Sequence, residues 1–382
     1  MPLDRLFRCF SSLRLTVALL VLGMVLVFLG TMAQVSMGLY RAQNEFFRSF
    51  FVYWGPPGAS WRIPVFPGGY LLGVLMLINL VAAHWRYFRP DWRKSGIVLI
   101  HAGLVLLLLG QFATDLLSVE STLHLREGEA KNYSEVDRRV ELAITDVTDP
   151  GHDRVVAIPQ TVLQRSGEVH VPDLPFTVRV LHFFPNAMVS ARPAGATGPP
   201  PATQGFGPQI QLTPLPHVTE MGKRDVPAAI VELLTPAGSL GTWVVSEYIG
   251  QPQTVTVGNR TFTLAMRLQR IYKPWTIKLL EFRHDRYPGT DIPKNFSSRI
   301  LLTDPRNGTE REVLIYMNNP LRYGGETYYQ ASYDPDDQGT VLQVVRNPSW
   351  LTPYIACLLV SVGLVLQFSI HLFRFTTRSV QP

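Results

Sequence analysis

Residues 15–33 read LTVALLVLGMVLVFLGTMA, a run with no charged side chain, and that run decides the class of fold. An α-helix rises 1.5 Å per residue, so about 20 such residues cross the ~30 Å hydrocarbon layer of a bilayer. Three more runs of this kind follow at 66–83, 96–113 and 353–373. The second holds Asn79 and begins among Pro67, Gly68 and Gly69. The apolar residues are thus bunched at the two ends of the chain, and the expectation is an integral membrane protein with four spanning helices. A signal peptide cut after Thr31 and Ala33 is the rival reading of the first run. That run is longer than a signal core, and its removal would leave three spans and put the C-terminal tail on the wrong side.

Basic residues beside a span tend to remain in the cytoplasm. Arg5, Arg8 and Arg14 precede the first span, Arg86, Arg89, Arg93 and Lys94 follow the second, and Arg374 and Arg378 follow the fourth. The expected topology is a cytoplasmic tail at 1–14, an outer loop at 34–65, a cytoplasmic loop at 84–95, an extracytoplasmic domain at 116–352 and a cytoplasmic tail at 374–382. Arg41, Arg48 and Arg62 soften the contrast in the first outer loop. These clusters account for part of the net charge of +6, and no basic patch interleaved with aromatics suggests nucleic acid. Cys9 lies in the first tail and Cys357 in the fourth span, so the outer domain is expected to cohere without disulfides.

From 116 to 352 the pattern changes to short alternating segments separated by Gly, Pro, Asn and Asp, the signature of a sheet protein. Strands are expected at 140–147, 176–183, 228–234, 242–248, 261–271, 298–303, 312–317 and 340–345, some joined through turn sequences such as Val257-Gly258-Asn259-Arg260. The fold class is therefore α+β, with a β-rich, sandwich-like domain carried on membrane helices. Residues 192–216 are rich in Pro, Gly and Ala and read as a mobile insertion, because they bury too little apolar area to offset their ordering entropy.

The chain shows no Gly-rich phosphate loop, Ser nucleophile elbow, His-Glu-x-x-His helix or Cys-x-x-Cys-His. Histidine at membrane depth stands out instead. His101 lies about five residues into the third span, ~8 Å inside the apolar layer. An ionisable side chain there usually faces the bundle interior and carries function, and imidazole is a frequent iron ligand. A histidine bonded across helices as structural glue is the alternative. His84 and His371 end the second and fourth spans and are weaker candidates, since boundary residues of that kind sit at the headgroup level. His124 is a further possibility beyond the third span. His152, His170, His182, His217 and His284 show no ligand spacing. The stretch Glu281–Pro288 reads as a solvated strand end, with a partner-binding surface as the sharper alternative.

Several strings resemble the ResB family of cytochrome c biogenesis proteins. They are Ser11–Leu20 with Leu29-Gly-Thr31 and Gln34; Gly96-Ile-Val-Leu-Ile-His101-Ala-Gly103; and Phe296-Ser-Ser298 with Met317–Gly325 and Tyr328–Tyr333. The resemblance implies a multi-pass protein of a bacterial-type inner membrane, serving the maturation route called System II with a CcsA-like partner that contains a Trp-rich haem-handling loop. The pair would move haem outward and present it to apocytochrome c. The tryptophans of this chain are scattered, so the partner would supply that loop. Carried over by position, His101 would be an axial ligand to haem iron, with the opposite ligand from a partner helix. The chain would then be a non-catalytic subunit of a membrane cytochrome c synthase. A scaffold that positions apocytochrome or the partner without touching haem is the competing reading. A solute transporter fits less well, since no inverted repeat or broken helix pair is present.

Overall fold

The computed structural model describes residues 2–56, 61–87, 92–193, 195–219, 223–290 and 293–379. Arg89 lies outside the described residues. The chain forms two compact units, one from residues 1–119, 219–221 and 347–382 and the other from 120–218 and 222–346. The helices are α1 (Pro2–Phe10), α2 (Leu13–Met37), α3 (Leu39–Ala42), α4 (Gly69–Tyr87), α5 (Ser95–Leu117), α6 (Gln160–Leu163) and α7 (Thr352–Ser379). Of these, α2, α4, α5 and α7 are long and apolar enough to cross a membrane.

The helices α2, α5 and α7 extend past their apolar runs at both ends, because polar caps and boundary residues continue the turn, whereas α4 starts three residues later than the expected 66–83 and ends four later, since Phe66 and Pro67 are taken by a strand. At the start of α2, for example, the Ser12 hydroxyl accepts from the Leu15 N–H at 3.2 Å. Leu19 and Leu26 of α2 pack on Leu72 of α4 and on Val52 of a short hairpin, β1 (Phe51–Trp54) and β2 (Ile63–Pro67). Asn79, which weakens the second run by hydropathy, is 2 % exposed and fully engaged. It accepts from the Thr16 hydroxyl at 2.7 Å and donates to the Phe10 and Ser12 carbonyls at 2.6 and 3.2 Å. Asn79→Leu is expected to remove the side-chain donor to the Phe10 carbonyl and the close acceptor of the Thr16 hydroxyl and cost about 1–3 kcal/mol, read as a lower unfolding midpoint in detergent.

The α5–α7 pair is built on glycine. Gly96, Gly103 and Gly110 recur every seven residues and are all buried. A Cβ at Gly96 would lie 2.6 Å from the Gly363 carbonyl, and one at Gly103 would lie 2.8 Å from the Ala356 carbonyl. The helices therefore approach backbone to backbone, as small residues allow between membrane helices.

The second unit is built from β3 (Val119–Arg126), β4 (Ala130–Asp146), β5 (Arg154–Pro159), β6 (Gly167–Val169), β7 (Thr177–Phe184), β8 (Ala187–Ala191), β9 (Ile210–Pro214), β10 (Ala228–Thr235), β11 (Gly238–Ser246), β12 (Gln253–Val257), β13 (Arg260–Arg286), β14 (Pro293–Asp304), β15 (Thr309–Tyr316), β16 (Leu321–Tyr323), β17 (Glu326–Tyr333) and β18 (Gly339–Arg346). Among the described residues, one sheet runs β15-β14-β13-β4-β3-β18-β17-β16, with β5 on β4 and β12 on β13; a second runs β11-β10-β7-β6. Val178, Val231 and Val245 of the smaller sheet meet Leu142, Ile144, Phe262 and Leu264 of the larger in one core, a sandwich. Farther along β13, Trp275, Ile277 and Leu279 enter a second core with Ile300, Tyr328 and Leu342. The 27 residues of β13 thus tie both cores together, and its ladder with β4 shifts register after Leu268 and Tyr272, which lets the strand bend between them.

The expectation of a mobile insertion at 192–216 needs correction. Ala202 is buried, Thr203 and Gln204 bond Thr242 across the edge of β11, the Phe206 N–H donates to Gln253 at 3.0 Å, and β9 pairs with β8. Backbone hydrogen bonds, which composition does not reveal, anchor this proline-rich stretch.

At one edge of the first core the Thr148 hydroxyl, and then the Arg260 guanidinium at 2.6 Å, hold the Asp146 carboxyl down at about 2. A carboxyl lowered in the folded state stabilises fully above its unfolded value of about 3.9 and loses that contribution as pH falls through the folded value. Wild type is therefore expected to unfold at a higher temperature than Asp146→Asn at pH 7. The two midpoints converge as pH drops from about 4 to 2, a comparison readable by calorimetry.

Candidate functional site

The last turn of α4 and the first turns of α5 are joined by a short connection, so His84 and His101 reach the same depth from consecutive helices. Their rings lie 5.8 Å apart, centroid to centroid, tilted by 51°. Both open onto a groove of about 650 Å³ walled by Leu80, Val81, Val98, Val105 and Leu106, with Trp85 at its rim. No charged side chain lines it, so the two imidazoles supply its ligating chemistry.

His101 is oriented by its own helix. Its Nδ1 lies 2.8 Å from the Ile97 carbonyl, and a carbonyl only accepts, so Nδ1 carries the proton. In the neutral ring this leaves the lone pair on Nε2, the tautomer a backbone carbonyl commonly enforces on metal-binding histidine. The apolar walls suit a flat macrocycle and the bare Nε2 suits iron, so the residues present fit haem as cargo.

Of the other histidines considered, His371 lies exposed on α7 with its Nε2 at 2.9 Å from Gln367, and it does not line the groove. His124 is held by both Asp334 oxygens at 2.9 Å. His284 is not part of a solvated strand end. Its side chain is 3 % exposed, its ring stacks 4.4 Å from that of Tyr333, and its Nδ1 meets Asp337 at 2.8 Å. Period two from the buried Phe282 puts His284 on the same, inward side of β13, where Tyr333 from β17 covers both rings. No group of three or more His, Cys, Asp or Glu gathers as a metal site among the described residues.

The string Met317–Tyr333 proves architectural. Lys273 pairs with Glu326, both under 10 % exposed; Glu326 accepts from the Tyr328 hydroxyl at 2.8 Å, which in turn accepts from the Trp275 indole at 3.0 Å. Burial, and then the neighbouring Glu326 charge, push the Tyr328 hydroxyl well above its ordinary value. Gly324 turns the chain at φ +59° directly over the Trp275 ring, where a Cβ would collide. A residue pattern that looks like a recognition motif is here a satisfied buried network and the turn that closes it.

Four helices long and apolar enough to cross a membrane, together with a large β-rich domain, define the class: an α+β multi-pass membrane protein. Residues 228–340 match the model of the ResB-like family, which bears out the likeness read from the residues and encloses its third set of strings. The chain is similar to Protein NrfI of Wolinella succinogenes, 28% identical over 302 residues that cover 77% of this chain and 29% of that protein. It is also similar to the cytochrome c biogenesis protein CcsB of Synechococcus elongatus, 33% identical over 96 residues, covering 25% of this chain and 21% of that protein. The chain thus spans less than a third of the length of either relative. His84 and His101 lie outside the stretch that the family model matches.

Proposed function

We propose that this chain is a cytochrome c maturation factor that holds haem, as cargo, against His101 in the groove between α4 and α5. The observation that carries the reading is the His84–His101 pair, set in an otherwise uncharged apolar groove with the Nε2 of His101 left for a ligand. Similarity to a cytochrome c biogenesis protein, CcsB, supports the pathway. Bound iron supplies the affinity for imidazole; the chain supplies the orientation of His101 and the apolar walls that receive the ring and exclude water. His84, whose ring lies 5.8 Å from that of His101, offers a second imidazole within this chain. A CcsA-like subunit would receive the haem and carry out attachment to apocytochrome c. The arginine clusters support an extracytoplasmic outer domain and cytoplasmic termini.

One observation favours a second reading. The family match falls on the outer domain, which suits a scaffold that grips apocytochrome or the partner while haem stays elsewhere. Complementation separates the two. In cells lacking their own ResB-like protein, His101→Ala at wild-type abundance is expected to leave c-type cytochromes without haem stain, and full staining would favour the scaffold.

A further inference from the structure

A second groove, of about 540 Å³, opens along the same helix pair toward the start of α4 and the end of α5. It shares Leu109 with the histidine groove but differs in chemistry. Its polar end is an internally neutralised cluster. Arg48 Nε lies 2.8 Å from one oxygen of Asp115, and the Tyr70 hydroxyl donates to the other. The carboxamides of Gln43 and Gln111 also line the groove, as do the rings of Phe47, Tyr70 and Phe112, the last two edge to face at 6.3 Å.

Charge and shape restrict the occupant. An anionic headgroup would meet Asp115 and a cationic one Arg48, each already paired, so the groove suits a neutral head that accepts hydrogen bonds. The surrounding rings suit a flat ring, which packs edge to face or offset against aromatics. Val74 and Leu77 continue the groove as an apolar wall along α4. The geometry points to a binding site for a membrane-soluble quinone, with its ring packed against the Phe47, Tyr70 and Phe112 rings, its carbonyl oxygens accepting from the Gln43 and Gln111 carboxamides and its isoprenoid tail along Leu77. This site is independent of haem, and no electron transfer is assigned to it.

Gly73 provides the test. It lines the groove, and a Cβ built there meets nothing within 4 Å, so Gly73→Phe fills the cavity without displacing backbone. The full chain, purified into phosphatidylcholine nanodiscs, is treated with a short-tailed azido-quinone and the crosslinked peptides are mapped. Saturable labelling of 69–77 and 108–115, competed by unlabelled quinone, is expected for wild type, and Gly73→Phe should abolish it. Gln111→Leu, which removes a carboxamide donor from the groove and leaves the Arg48–Asp115–Tyr70 cluster in place, should weaken it roughly two- to tenfold and serves as the second variant should Gly73→Phe unfold. Labelling that does not saturate, that survives the filled groove in a folded variant, or that a diacyl phospholipid displaces as readily as quinone, would overturn the site and leave an ordinary lipid crevice.

Discussion

Gly103→Leu is expected to drive α5 and α7 apart and to lower the unfolding midpoint of the membrane unit. A Cβ at this position would stand 2.7 Å from Val360 Cγ2 and 2.8 Å from the Ala356 carbonyl. The methyl group can rotate away, but the carbonyl is fixed in the α7 hydrogen-bond ladder, so the helices must separate. Overpacking usually costs about 1–3 kcal/mol, and a leucine against backbone belongs at or beyond the upper end. Separation would also disturb the contacts at Gly96 and Gly110, which share the face. Gly23 of α2 is the control, because a Cβ there meets nothing within 4 Å and Gly23→Leu should behave as wild type. Detergent-denaturation curves followed by circular dichroism would read both variants, and equal midpoints for the two leucines would refute the packing account.

His101→Ala is expected to remove most haem from the purified protein while leaving the fold intact. In the proposed site the imidazole would contribute a ligand nitrogen, and among the described residues it is hydrogen-bonded to the carbonyl of its own helix, so truncation breaks no hydrogen bond between helices. Millimolar imidazole should restore part of the absorption by entering the vacated position. His84→Ala should act more weakly if its ring only positions the cargo, by roughly 10–100-fold in affinity, and as strongly as His101→Ala if it is the second ligand. A haem content unchanged in both variants would leave the groove without the proposed cargo.

The spans and the sheet domain were legible because hydropathy runs and period-two alternation follow directly from burial in lipid and in a sandwich. What escaped the sequence lay in contacts between distant segments. Asn79 looked like a flaw in a span, yet its partners come from residues 10–16. Residues 192–216 looked unanchored, yet Thr242 and Gln253 hold them. His284 shares the inward face of Phe282 by period two, a signal hidden by the charged residues around it, and its cover, Tyr333 of β17, comes some fifty residues later in the chain. Of the candidate site, His101 was legible from its depth alone. The pairing with His84 had a signal that depth would have supplied, since a residue ending one span and a residue beginning the next share a level when the connection is short. His371, at a similar level by the same reasoning, lies on a helix whose close face toward α5 is taken by glycine contacts, and it stands outside the groove.

The most direct test of the haem reading is the visible absorption spectrum of the purified full chain, with and without a co-expressed CcsA-like partner, for wild type and His101→Ala. A Soret band that is present in wild type and lost in His101→Ala, with the partner present in both, is the predicted result. A band of equal intensity in the two proteins would contradict it.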